Sequence, residues 1–313
     1  MKLGIDSYTY HRFFGDWYPD LQTDPGRRMT PYEFLDRAVE LGVAGVSLES
    51  CYLPAGDAFI GQLRDALDAR GLERVWAWGH PSGLKSGADS TAALDLVRHL
   101  GIAKRLGATV MRICCGGRRT RPASWAEHQR ALVQMLVPLA EQAAAHGVVL
   151  AIENHLDLLA DELGELLTTI DSPSLGVCFD TGNNLRMFED PVEVARKLAP
   201  FARATHVKDL IAHQGDPKTF GFWPSVPLGR GLIDLPAILR LLQAAKFDGV
   251  LALEIDYLAP TYVEVGEDAA VAESIAWLRN ELSLITQRPS PSIPLPEGAG
   301  RQAPFSPGEK GRR

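Results

Sequence analysis

What this sequence lacks narrows it first. It has no excess of positive charge: 32 Lys and Arg face 39 Asp and Glu, a formal −7. The phosphate attraction behind nucleic-acid binding therefore has no global support, and no nucleic-acid partner is expected. No apolar run approaches the roughly 18 to 20 residues of a membrane span, so no membrane association is expected either. The opening MKLGIDSYTYH has no basic start followed by an apolar core and a small-residue cleavage site, which predicts a cytoplasmic protein. The four cysteines, Cys51, Cys114, Cys115 and Cys178, form no C-x-x-C pair. They read as reduced core or near-site residues rather than a zinc or redox centre.

What is present is a rhythm. Short apolar, β-branched runs alternate with amphipathic stretches, the pattern of βα units around a parallel sheet. Eight strands are expected at Lys2–Asp6, Ala44–Glu49, Val75–Trp78, Thr109–Ile113, Val148–Glu153, Gly176–Asp180, Ala204–Val207 and Val250–Glu254. Several lack polar alternation, as strands covered on both faces do. Thr30, Pro31 and Glu33 make a capping box ahead of YEFLDRAVEL, with Gly42 at its end; Ser124 and Glu127 repeat the device ahead of a helix ending at Gly147. Further helices are expected at Phe59–Arg70, Thr91–Leu106, Asp161–Ile170, Pro191–Leu198, Leu235–Ala245 and Asp268–Ile285. This count and spacing predict an α/β fold, a single-domain (β/α)₈ TIM barrel over residues 1–285. A doubly wound sheet is the alternative, but DSYTYH follows strand one where a G-x-G-x-x-G turn would stand. From residue 286 the composition changes: six of the 21 prolines and little periodic apolar pattern predict a disordered Pro-rich tail over 286–313. The tail carries five basic and two acidic residues, which leaves −10 on the barrel.

Chemistry in such a barrel sits at the C-terminal ends of the strands. Strand five ends in Glu153, strand six in Asp180, strand seven carries His206 and strand eight ends in Glu254, at spacings of 27, 26 and 48 residues. Three carboxylates and an imidazole on one rim repel one another unless a cation joins them. One nitrogen and three oxygen donors suit Mn²⁺, Mg²⁺ or Co²⁺ better than a structural zinc site, which prefers cysteine. The plainer reading is that each caps a helix or pairs with a basic residue. Around these four, His80 either faces substrate or caps a turn, and Arg230 in PLGRG either reaches a hydroxyl or phosphate or stays on the surface. His155 is a second proton carrier or a hydrogen-bonding neighbour, and Lys208 orients a carboxylate or contacts a substrate oxygen. Tyr8, His11, Phe220, Phe222 and Trp223 form an apolar wall and lid, or pack locally.

The motifs IENH (Ile152 to His155), GVCFDTGN (Gly176 to Asn183), HVKD (His206 to Asp209), PLGRGLID (Pro227 to Asp234) and LALE (Leu251 to Glu254) resemble the sugar phosphate isomerase/epimerase family of xylose isomerase-like TIM barrels. The likeness runs from about Lys2 to Ile285. It implies that Glu153, Asp180, His206 and Glu254 bind one divalent metal, with Mn²⁺ the leading choice, and that Glu153 and Glu254 are the acid/base pair. It also implies a dimer and a small carbohydrate as substrate. One position departs: ketose 3-epimerases of the family place a His shortly after the strand-six Asp, where this chain has Asn183, which can bond a hydroxyl but cannot exchange protons. The resemblance thus implies an isomerase or epimerase working through an enediolate on a small sugar, sugar derivative or polyol. Its alternative is a lyase: a dehydratase of inosose or dehydroshikimate type, or a deglycosidase acting on a 3-keto glycoside. An endonuclease of the same barrel class fits poorly with the acidic barrel. A non-catalytic sugar-binding barrel has no use for two carboxylates opposed across a metal.

Overall fold

The computed structural model describes residues 1–214 and 223–287. Eight parallel strands close into a barrel: β1 Lys2–Asp6, β2 Gly45–Glu49, β3 Glu73–Ala77, β4 Val110–Ile113, β5 Val149–Glu153, β6 Leu175–Asp180, β7 Ala202–Val207 and β8 Val250–Leu253. Each pairs with its chain neighbours, and β8 closes the ring on β1 with Lys2 opposite Val250. A long helix follows every strand: α1 Pro31–Glu40, α2 Asp57–Ala69, α3 Ser90–Leu106, α4 Trp125–His146, α5 Ala160–Ile170, α6 Pro191–Leu198, α7 Leu235–Ala244 and α8 Glu267–Gln287. The expected (β/α)₈ architecture is the observed one. None of the described helices is long and apolar enough to cross a membrane.

Local chemistry explains the boundaries. At α1 the Thr30 hydroxyl accepts from the Glu33 amide while the Glu33 carboxylate accepts from the Thr30 amide, the full capping box. At α4 Ser124 accepts from the Glu127 amide. The strand β3 starts two residues earlier than its apolar run, because Glu73 and Arg74 at the barrel's lower rim join the ladder with Gly45 and Val46 while their charged ends reach solvent-side partners. The last helix runs to Gln287, two residues past the expected end of the barrel. Gly4 and Gly45 mark where strands β1, β2 and β8 crowd: a Cβ on Gly4 would stand 2.2 Å from a Val250 methyl and 2.8 Å from the Gly45 carbonyl oxygen.

Small side chains fill part of the barrel interior, where Val75, Ala151, Cys178 and Ala204 form their own cluster. The main apolar mass lies between the strands and the helix ring. That packing leaves the C-terminal ends of the strands to polar residues, and the connection from Ser7 to Thr30 follows β1 at that end.

Candidate metal centre

Strand ends place the side chains. Glu153 closes β5, Asp180 closes β6, His206 is next to last in β7, and Glu254 follows β8 directly. The ladders set Asp180 opposite His206, and His206 opposite Ala252. All four residues are at most 5% exposed.

Their polar atoms converge. His206 Nδ1 lies 3.3 Å from Glu254 Oε2, 3.6 Å from Glu153 Oε1 and 3.9 Å from Asp180 Oδ2. Ligand atoms of Glu153, Asp180 and His206 all fall within 4.8 Å of one another. Three of the converging atoms, His206 Nδ1, Asp180 Oδ2 and Glu254 Oε2, make no hydrogen bond. The two oxygens face the Lys208 ammonium, at 2.7 Å from Glu254 and 3.0 Å from Asp180, while His206 Nδ1 has only carboxylates about it. Carboxylate oxygens and an imidazole nitrogen are donor types that a divalent cation takes; Glu153, Asp180 and His206 are close enough to share one, and Glu254 meets the same imidazole.

The surroundings fix each donor. His206 Nε2 faces Asp6 Oδ2 at 3.4 Å, which turns Nδ1 toward the carboxylates, as an outer carboxylate does for a metal-binding histidine. Asp180 Oδ1 accepts from the Gly182 and Asn183 amides at 2.7 and 2.8 Å, leaving Oδ2 inward. Glu153 Oε1 accepts from the Asn183 side-chain amide at 2.9 Å, and Oε2 faces Arg112 Nε at 3.3 Å and the Cys114 thiol at 3.4 Å. Arg112 in turn pairs with Glu49. Lys208, 2% exposed, reaches Glu254 at 2.7 Å, Asp256 at 2.9 Å and Asp180 at 3.0 Å. Arg186 pairs with Asp256.

Six carboxylates, from Asp6, Glu49, Glu153, Asp180, Glu254 and Asp256, thus share this mouth with three permanent cations, Arg112, Arg186 and Lys208. The deficit appears in the proton affinities. Burial pushes Glu254 up to about 8, more than His206 and Lys208 can pull it down. Burial also raises Glu153, but Arg112 and His206 outweigh it and hold that carboxyl well below its ordinary range. His206 loses from burial and gains more from Cys178, Glu254 and Glu153, so its imidazole rises above its usual value. The two glutamates therefore sit in opposite environments, one held ionised and one favouring its proton.

The other sequence expectations divide. Asn183 and Lys208 are in the cluster. His155 is half-buried, its Nδ1 donating to the Gly116 carbonyl at 3.2 Å. His80 stacks on Trp78 at 5.0 Å, and its buried Nδ1 has no partner. Arg230 is not brought to the site: its side chain is 61% exposed and pairs with Glu273 at 2.8 Å. The reason is Asp209, whose carboxylate gathers the amides of Gly229, Gly231 and Ile233 and turns the intervening Arg230 outward. A Cβ on Gly231 would stand 2.1 Å from Asp209 Oδ1, so PLGRG is built around that carboxylate.

Of the expected wall, Tyr8 and His11 stack at 4.8 Å, and Tyr8 bonds to Tyr18 through their hydroxyls. Trp223 packs on the core instead, its carbonyl accepting from Arg186 at 3.3 Å. Phe220 and Phe222 lie outside the described residues. Sequence reasoning missed Asp6, Glu49 and Arg112. The signal for the first two was the rule already in use, since β1 and β2 also end in carboxylates, KLGID and GVSLE. Arg112 was visible as a charge inside an apolar run, VMRI.

Residues 35–281 match the model of the xylose isomerase-like TIM barrel family. The chain is 28% identical over 281 residues to the rhizopine catabolism protein MocC of Rhizobium meliloti, covering 82% of each chain. It is 24% identical over 205 residues to 3-oxo-isoapionate decarboxylase of Pectobacterium atrosepticum, covering 66% of this chain and 71% of that one. Its fold is similar to that of the IolI protein solved with a bound zinc atom, with TM-score 0.70 at 16% identity over 91% of this chain and 99% of that one. The closed eight-strand barrel, its polar mouth and a family match across most of its length agree: this chain belongs to the xylose isomerase-like TIM barrels.

Proposed function

We propose that the protein is a divalent-metal-dependent isomerase or epimerase of a small sugar, sugar derivative or polyol, with Glu153 and Glu254 as its acid/base pair. The observation that carries this reading is the convergence of the buried Glu153, Asp180 and Glu254 carboxylates on the His206 imidazole, with His206 Nδ1 making no hydrogen bond. A divalent cation held by these four supplies Lewis acidity to a substrate carbonyl and hydroxyl, easing loss of the neighbouring C–H proton.

The rest is the work of this chain. Glu153, held ionised by Arg112 and oriented by Asn183, takes the proton to leave an enediolate. Glu254, which comes from a strand three places round the ring, returns at another carbon or face a proton that it draws from solvent or a substrate hydroxyl. Lys208 fixes the Asp180 and Glu254 carboxylates. The Tyr8, His11 and Tyr18 cluster covers the β1 side of the mouth against water. A lyase is the second reading, favoured by the likeness to the inosose dehydratase of Clostridium beijerinckii, 21% identical over 267 residues: a proton delivered by Glu254 to a leaving hydroxyl gives elimination. A panel of ketoses, inososes and 3-keto glycosides assayed with Mn²⁺ tests the reading. Rearranged products support it, eliminated products select the lyase, and no turnover of any member opposes both.

Metal uptake should release protons. In the metal-free protein Glu254 titrates near 8 and His206 above its ordinary range, so at pH 7 both hold a proton that a metal must displace. Affinity for Mn²⁺ should therefore rise from pH 6 to pH 8. Calorimetric titrations in two buffers of different ionisation enthalpy should differ by the heat of that transfer; identical heats at each pH would contradict it.

A further inference from the structure

One cleft beside the metal centre, edged by basic side chains, has no place in the chemistry above. The β4–α4 connection and the loop after β3 form a cleft open to solvent, of about 300 Å³, lined by Pro81, Ser82, Gly116, Gly117, Arg118, Arg119, Thr120 and His155. Two arginines and a histidine line it and no carboxylate does, in a chain of net charge −7.

The cleft is built rather than draped. Thr120 Oγ1 accepts from the Gly117 amide at 2.9 Å and sits 2.9 Å from the Ser86 hydroxyl; the Thr120 and Arg121 amides both donate to the Gly117 carbonyl. Arg121 is clamped by both Glu162 oxygens at 2.6 Å and donates to the Asp157 carbonyl at 2.6 Å. Gly116 admits no side chain, since a Cβ would stand 2.5 Å from Thr120 Oγ1 and 2.6 Å from Ser86 Oγ. This frame holds Arg118 and Arg119 at the tip of a fixed turn, both exposed.

Two chain segments tie the cleft to the reacting end. Cys114 meets the Glu153 carboxylate at 3.4 Å, and Gly116, two residues on, lines the cleft. Glu153 belongs to the centre, and His155, two residues on, lines the cleft and is pinned to Gly116. The His155 amide donates to the Glu153 carbonyl at 2.8 Å, a tight turn that keeps the cleft beside the centre.

We propose that this cleft binds an anionic terminus of the substrate, a phosphoryl or carboxylate group, so that the enzyme acts on acidic rather than neutral sugar derivatives. The substrate class rests on the isomerase or lyase reading of the adjoining centre; the anion site does not. Guanidinium forks match the oxygens of either group. The mouth of the barrel, rich in carboxylates, repels the same group everywhere else, which fixes which end of the substrate enters first.

The test uses the full chain without metal, titrated with inorganic phosphate and separately with acetate at fixed ionic strength, followed by calorimetry. Saturable binding of at least one anion is expected, weakened about tenfold by combined Arg118→Ala and Arg119→Glu, and unchanged in Glu153→Gln. Phosphate the tighter identifies a phosphoryl group, acetate the tighter a carboxylate. Arg64→Glu, which alters charge on the exposed face of α2, should change nothing. Absence of saturable binding by both anions, or equal weakening by Arg64→Glu, overturns the proposal. Failure of the sugar panel with anion binding intact overturns the enzymatic reading alone.

Discussion

Glu153→Gln and Glu254→Gln should each lower turnover about 10²- to 10⁴-fold beyond any loss of metal. Gln keeps the size of Glu and one acceptor oxygen but cannot take up a carbon-bound proton, so a metal-loaded variant separates proton transfer from ligation. In Glu153→Gln the Arg112 and Asn183 contacts lie against a neutral group, yet the packing stays. His206→Asn should behave differently, losing activity chiefly through metal affinity and recovering part of it in excess Mn²⁺. Steady-state rates on metal-loaded variants, with metal content measured on the same samples, decide the matter. Near wild-type rates in either loaded Gln variant would remove that residue from the acid/base pair and turn attention to His155.

The largest effect on stability is expected at Arg112. Its guanidinium, 10% exposed, lies between Glu49 and Glu153, themselves 3% and 5% exposed, and pairs with both. Burial already pushes Glu49 up to about 7 with Arg112 in place. Arg112→Met fills the volume but leaves two carboxylates without their counter-charge, and breaking a buried pair this way costs about 3–5 kcal/mol. Arg230→Met, at an exposed pair with Glu273, should stay within about 0.5 kcal/mol. Denaturant unfolding of the two variants compares them. Equal stabilities would mean that Glu49 and Glu153 accept protons at no cost, and that Arg112 does not hold Glu153 ionised.

The sequence made some of this legible for definite reasons. Strands buried on both faces read as apolar runs, and each barrel strand falls on one, with ends shifted by a residue or two where polar rim residues such as Glu73 and Arg74 join the ladder. Glu153, Asp180, His206 and Glu254 stood out because each breaks its run at the same end. Asp6 and Glu49 end β1 and β2 in the same way, but their part is fixed only when β1 closes on β8 and brings Asp6 to His206. That ring closure joins residues 200 positions apart and leaves no local trace. Arg230 misled for the opposite reason: a basic residue between glycines looks like a ligand-binding turn, whereas the turn is shaped by the Asp209 carboxylate from within. Arg112 makes the same point about charge, since its value to the site lies in two carboxylates that arrive from β2 and β5.

Titration of the chelator-treated full chain with Mn²⁺, followed by the loss of the free-ion paramagnetic resonance signal, tests the central claim most directly. The account predicts about one Mn²⁺ per chain, with affinity falling at least tenfold in each of Asp180→Asn and His206→Asn. No saturable uptake, or uptake indifferent to both substitutions, would contradict a metal held by Glu153, Asp180, His206 and Glu254.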